Sequence, residues 1–201
     1  MKSYSVGHAI MSVLNKNSTP LYKVTILPKA HSLGHTAFIP EKDELSHTKK
    51  QLLARIEVAL GGKAAEEIFL GEGKVTTGCS SDLDSATRVA YFYVRNMGMT
   101  EDLSVLSGNK GTFSDDHNYA LDVEANRLIQ ESYKRVKTIM LENQEAIHRI
   151  SKRLIEKETL GAEEFKELLG IKTQPPRTPP PPKPTTEEEG NISAGPKLRL
   201  F

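Results

Sequence analysis

The feature that most narrows the fold of this chain is the run from residue 120 to 158. Here Leu121, Leu128, Ile129, Val136, Ile139, Met140, Ile147, Ile150 and Leu154 recur at mixed three- and four-residue steps. Steps of that size line up apolar side chains on one face of an α-helix. The run is 39 residues long, well beyond the ~8–20 of an ordinary globular helix. It therefore predicts two antiparallel helices with a break near Glu142 to Gln144. Three shorter runs repeat the pattern. Residues 3 to 15 carry Val6, Ile10, Val13 and Leu14 on one stripe. Thr48 opens Lys49 to Leu60, with Leu52, Leu53, Ile56 and Leu60 inward, and Ala64 to Leu70 continues it beyond Gly61-Gly62, a pair that permits a close crossing or a kink. Ser80 or Ser81 opens a third run to about Met97, with Ser81 and Asp84 at capping-box spacing. A final short helix, Ala162 to Leu169, follows a cap at Thr159 and stops at Gly170. The expectation is a mainly α chain.

Two segments read differently. Leu21 to Pro28 alternates and is β-branched, and Gly34 to Ile39 reads as a second strand joined through Lys29 to Leu33. Pro28 and Pro40 fall at strand ends, where a missing ladder donor matters least. A two-stranded ribbon is marginal alone and must lean on helices. Gly71 to Gly78 is expected as a loop, and Thr100 to His117 as irregular. From Ile171 onward eight of the eleven prolines are concentrated, followed by Glu187-Glu188-Glu189. That composition buries too little apolar area to offset its ordering entropy, so 171–201 is expected to be a disordered tail.

Charge and cysteine content exclude several classes. With 27 basic and 26 acidic residues the net charge is +1, which gives no electrostatic case for nucleic acid. A single cysteine rules out a disulfide framework. No run approaches the ~18 apolar residues of a membrane-spanning helix. Met1 is followed almost at once by what reads as helix interior, which leads us to expect a fragment or a truncated gene model.

The chemistry concentrates in two stretches, Tyr4-Ser5-Val6-Gly7-His8 and Thr76-Thr77-Gly78-Cys79-Ser80-Ser81-Asp82-Leu83. A helical H-E-x-x-H motif sets two imidazoles at i and i+4 on one face to grip zinc, while its Glu activates the bound water. Here the second His position is His8, the first is Tyr4 and the Glu position is Ser5. Taken singly, His8 also reads as a core or surface histidine, and Asp82 as a residue favouring the positive end of its helix. Glu66 and Glu67 offer further carboxylates, but helix Glu pairs usually face solvent. His31, His35 and His47 read as surface residues near the ribbon, and Cys79 as an inert thiol.

The order of elements and several strings resemble the peptidase domain of FtsH-type ATP-dependent zinc proteases. The strings are Gly7-His8-Ala9, Lys23-Val24-Thr25-Ile26-Leu27-Pro28, Leu33-Gly34, Gly61-Gly62-Lys63-Ala64-Ala65-Glu66-Glu67 and Thr76 to Leu83, with Ala86-Thr87 and Gly98-Met99. Two of them, Gly78 to Asp82 and Ile26-Leu27-Pro28, lean toward the mitochondrial i-AAA branch. The resemblance implies a helical metallopeptidase domain over residues 1–170, with a small two-stranded β ribbon, ahead of the tail at 171–201. It implies that His8 and Asp82 are zinc ligands, that Tyr4 stands where the first His ligand is lost, and that Ser5 stands where the general-base Glu is lost. It also implies that an edge strand at Leu33, Gly34, His35, Thr36, Ala37 and Phe38 pairs with extended substrate backbone, a mode that asks little of substrate sequence.

The cofactor that the resemblance implies is zinc, at a site left with His8 and Asp82 as its two ligands. A catalytic zinc needs three protein ligands and a water whose pKa falls to ~7. Ser5 takes no proton from water near neutrality, so general-base assistance of ~10²–10⁴ is lost. The partners implied are unfolded polypeptides and an ATPase module or active paralogues in a hexameric ring. Contact with a membrane is implied only through upstream segments outside this chain. The implied location is the mitochondrial inner membrane, with a chloroplast thylakoid or bacterial-type membrane as the alternative. The expected role is a degraded peptidase domain in membrane-protein quality control. A non-catalytic subunit of such an assembly stands second, and an adaptor using the proline tail third.

Overall fold

In the computed structural model, which describes residues 2–27, 34–39, 46–100 and 113–171, the helical expectation holds. Helix α1 spans Lys2–Leu14, strand β1 Leu21–Thr25, strand β2 His35–Phe38 and helix α2 Lys49–Leu70. Two 3₁₀ turns, Glu72–Lys74 and Thr77–Cys79, lead into α3, Ser80–Tyr91, which runs on as a π turn over Phe92–Asn96. Helices α4 (Asp115–Glu142) and α5 (Gln144–Lys157), strand β3 (Thr159–Gly161) and helix α6 (Ala162–Leu169) complete the order.

Helix α2 is the spine. Thr48 caps it, accepting from the Gln51 amide while Gln51 reaches back to the Thr48 amide, so two otherwise orphaned donors are satisfied together. The helix passes unbroken through Gly61-Gly62, and those glycines serve a crossing. A Cβ on Gly7 would lie 2.2 Å from the carbonyl oxygen of Gly61, and one on Gly61 2.8 Å from that of Gly7. Backbones therefore touch where α1 crosses α2, and no side chain fits between them. Around the crossing, Val6, Ala9, Ile10 and Met11 of α1 meet Ile56, Leu60 and Ala64 of α2 in one core that includes Val136, Met140, Ile147 and Phe165.

Several expectations are corrected. The ribbon has three strands, in the order β2-β1-β3, all antiparallel. Thr159 is not a cap but pairs with Thr25, and Gly161 opens α6. A three-residue strand carries no alternation to read; its buried Leu160 is drawn in by the core. Helix α4 begins at Asp115, inside the stretch expected to be irregular, because Ser114 accepts from the His117 amide. The break after Glu142 falls where expected, yet α4 and α5 do not lie side by side. Asn143 alone separates them, too little chain to reverse direction. Helix α4 packs on α2 and α3, and α5 on α1 and α6. Pro28, Leu33, Pro40, most of the stretch from Thr100 to His117 and nearly all of the tail from Ile171 lie outside the described residues.

Candidate functional site

The second turn of α1 carries both Ser5 and His8. Val6, Ala9 and Ile10 are fully buried, so the apolar face fixes the rotation of the helix and sends residues 5 and 8 toward one cavity. There the His8 ring is held at both nitrogens. Its Nδ1 lies 2.7 Å from the carbonyl oxygen of Val58 on α2, an acceptor whose second lone pair is not needed by the helix. Gly61 and Gly62, on the next turn, put no side chain over that carbonyl. An Nδ1–H donated to Val58 leaves the Nε2 lone pair aimed outward, the orientation that metal-ligating histidines take from a partner of this kind. Nε2 lies 3.0 Å from Oδ2 of Asp82.

Asp82 reaches this position because of the segment before it. It lies in the first turn of α3, where a carboxylate favours the partial positive charge of the helix end. The expected cap at Ser80 or Ser81 is not used; Cys79 is the N-cap residue and makes no side-chain bond to the helix amides. Capping moves upstream, where the Thr76 hydroxyl accepts from the Gly78 amide. Thr76 is itself held by Glu66, whose carboxylate accepts the Thr76 amide at 2.9 Å and its hydroxyl at 3.1 Å. Glu66 is 1% exposed, so the expectation that the Glu66-Glu67 pair faces solvent is corrected. Glu67 is engaged as well, with Tyr133, Lys137 and Lys63. The hydrogen bonds from Lys137 and then Tyr133 hold its carboxyl below the usual range. Cys79 is buried against the same loop, and burial, then the Glu66 carboxylate, push its thiol up, consistent with an inert group.

The Glu66 contacts predict the outcome of its removal. Glu66→Ala removes the buried carboxylate that accepts the Thr76 amide and hydroxyl, and losing a hydrogen bond to a charged group costs ~1.5–3 kcal/mol. Amide hydrogen exchange from Thr76 to Asp82 should accelerate more than exchange in α5. Equal protection in variant and parent would show that Glu66 does not hold the loop.

A cavity of about 720 Å³ opens beside the pair, lined by Ser5, His8 and Asp82 and, along one wall, by Gly34, His35, Thr36 and Phe38 of the β2 segment. That volume suits a ligand of several residues or a small molecule. Strand β2 forms an edge of the sheet, so the expected edge over Leu33 to Phe38 is present from Gly34 on; Leu33 itself lies outside the described residues. Ala37 pairs with Lys23. The strand is tied to the site where Thr36 Oγ1 donates to the Ser5 carbonyl at 3.0 Å. Gly34 lies so near that a Cβ there would meet Ser5 Oγ at 2.9 Å.

His8 and Asp82 form a pair, and among the described residues no group of three or more His, Cys, Asp or Glu side chains is placed to hold a metal ion. Tyr4 stands one turn before His8 on α1; its side chain lies outside what the structure describes. Ser5 occupies the position next to it and is 4% exposed. His35 and His47 are exposed and line the same cavity.

Known proteins share this chain's sequence over most of its length. A family model described as Peptidase family M41 matches residues 4–168. A Caenorhabditis elegans protein named ATP-dependent zinc metalloprotease YME1 homolog is 39% identical over 203 residues, which span 94% of this chain and 27% of that protein. The Saccharomyces cerevisiae mitochondrial inner membrane i-AAA protease supercomplex subunit YME1 is 39% identical over 167 residues, 82% of this chain and 22% of its own length. An Arabidopsis thaliana protein, ATP-dependent zinc metalloprotease FTSH 11, chloroplastic/mitochondrial, is 39% identical over 163 residues, 81% and 20% respectively. The chain thus spans between 20% and 27% of the length of these relatives. The FtsH-type resemblance, and its lean toward the i-AAA branch, are borne out.

Proposed function

Because the chain belongs to peptidase family M41, we propose that it is the peptidase domain of an ATP-dependent zinc metalloendopeptidase whose hydrolytic half has been lost, leaving a weak peptidase or none. The observation that carries this reading is the state of α1: His8 lies 3.0 Å from Asp82, while Ser5 and Tyr4 stand where a base and a third ligand are needed. A hydroxyl does not accept a proton from water near neutrality, and two protein ligands fall one short of a catalytic zinc. No hydrolytic step is therefore assigned to this chain. What remains is the capacity to hold unfolded polypeptide against β2. The partners are an ATPase module or active paralogues in a hexameric ring. The place is the mitochondrial inner membrane, and the process is membrane-protein quality control.

Metal analysis and casein hydrolysis by the purified 201-residue chain test this. Zinc well below one equivalent, and turnover no faster than in a chelator-treated control, are expected. A full equivalent of zinc with chelator-sensitive turnover would overturn the proposal. A second reading, a structural subunit that only fills a ring position, is favoured by the close Gly7–Gly61 crossing, which keeps the fold's packing although the base is missing. The two readings part on peptide binding, which a purely structural subunit does not need.

A further inference from the structure

We infer that the cavity beside His8 and Asp82 selects extended peptides bearing an acidic side chain, and that the Arg55 guanidinium receives the carboxylate. This rests on the reading of β2 as a polypeptide-binding edge and adds the class of peptide it takes.

Among the described residues lining the cavity, Arg55 is the one Lys or Arg and Asp82 the one Asp or Glu, and Asp82 already faces His8. Arg55 is an exposed residue on α2 with no hydrogen bond or ion pair among the described residues. Other arginines of the domain are committed: Arg127 holds Glu124, Arg135 holds Glu57 and Arg153 holds Glu164. Arg55 therefore keeps its fork of donors for something that arrives. A carboxylate matches that fork with two parallel charge-assisted bonds.

Its place in the fold sets the register. Gln51, Arg55 and Ala59 all line the cavity at four-residue steps, so they share one face of α2. Val58, which orients His8, lies one turn beyond Arg55. A helical turn advances ~5.4 Å and an extended peptide ~3.3 Å per residue. The recognised side chain thus falls about two residues along the peptide from the His8–Asp82 pair.

The test uses the 201-residue chain and fluorescein-labelled octapeptides of Val, Thr and Ala, with one Glu or one Gln at each central position in turn. Fluorescence anisotropy is read at low ionic strength with a chelator present throughout. At one register the Glu peptide should bind about tenfold tighter than its Gln counterpart, a difference of ~1.4 kcal/mol. Arg55→Ala should reduce that ratio to below about twofold without weakening the Gln peptide, and Arg55→Lys should keep part of it. Because Arg55 is exposed, neither variant threatens the core. Equal binding of Glu and Gln peptides, or a preference that survives Arg55→Ala, overturns the inference while leaving β2 a peptide edge. No binding by any peptide overturns the peptide-edge reading itself.

Discussion

Tyr4→His combined with Ser5→Glu is expected to bring zinc to near one equivalent and to raise casein hydrolysis by ~10²–10⁴-fold. The helix already sets residue 4 one turn before His8, so an imidazole there leaves the same face as His8 and closes a three-ligand set with Asp82. The new carboxylate enters beside a cavity of about 720 Å³, which leaves room for a longer side chain than serine. Each single change should fall short for its own reason. Tyr4→His alone restores the ligand count and should raise zinc without matching hydrolysis. Ser5→Glu alone places a charge at a position 4% exposed with no metal to meet it, and should lower stability. Metal content and turnover, measured on all four chains, check this. Equal metal and activity in parent and double variant would sink the account of the site.

The largest effect on stability is expected from Gly7→Ala. In an isolated helix the change gains ~1 kcal/mol, since alanine is the better helix former. Here the added methyl would sit 2.2 Å from the Gly61 carbonyl oxygen and 2.8 Å from the Ala65 Cβ. The nearest obstacle is backbone in the middle of α2, not the end of a flexible side chain, so α1 and α2 must move apart. Overpacking of that kind costs ~1–3 kcal/mol and sometimes more; we expect the upper end, a net loss of ~2 kcal/mol after the helical gain. In a domain of this size each kcal/mol lowers Tm by ~2–4 °C, so a fall of ~4–8 °C should appear in thermal unfolding. The same shift draws His8 away from the Val58 carbonyl, so peptide affinity at β2 should fall with it. An unchanged Tm would mean the crossing has slack the distances do not show.

On the function proposed above, binding and cleavage come apart at this cavity: an extended polypeptide would be held at β2, and Tyr4 and Ser5 would not supply the means of cutting it. A chain that binds without cutting would hold acidic segments at Arg55 for as long as their affinity allows.

Much of this was legible from residue types and spacing. Three- and four-residue steps placed α1, α2, α3 and the α4–α5 run, because burial of one helical face leaves its period in the chain. Thr48 announced its helix, since a cap acts on amides two and three residues away. The pairing of His8 with Asp82 was readable through resemblance, as a relation between two separated strings. Other features left no local mark. Thr159 to Gly161 is too short to show alternation, and only docking against β1 makes it a strand. Glu66 reads as an exposed helix glutamate until the Thr76 loop folds over it. The Val58 carbonyl that orients His8 is backbone, which no residue type reports. Local sequence by itself determined which segments are helical and which residue types stand at positions 4, 5, 8 and 82. Only the tertiary structure decided that Arg55 shares a cavity with Ser5, His8 and Asp82 and that two glycines bring α1 onto α2, because contacts across 50 residues depend on how faces pack rather than on their local period.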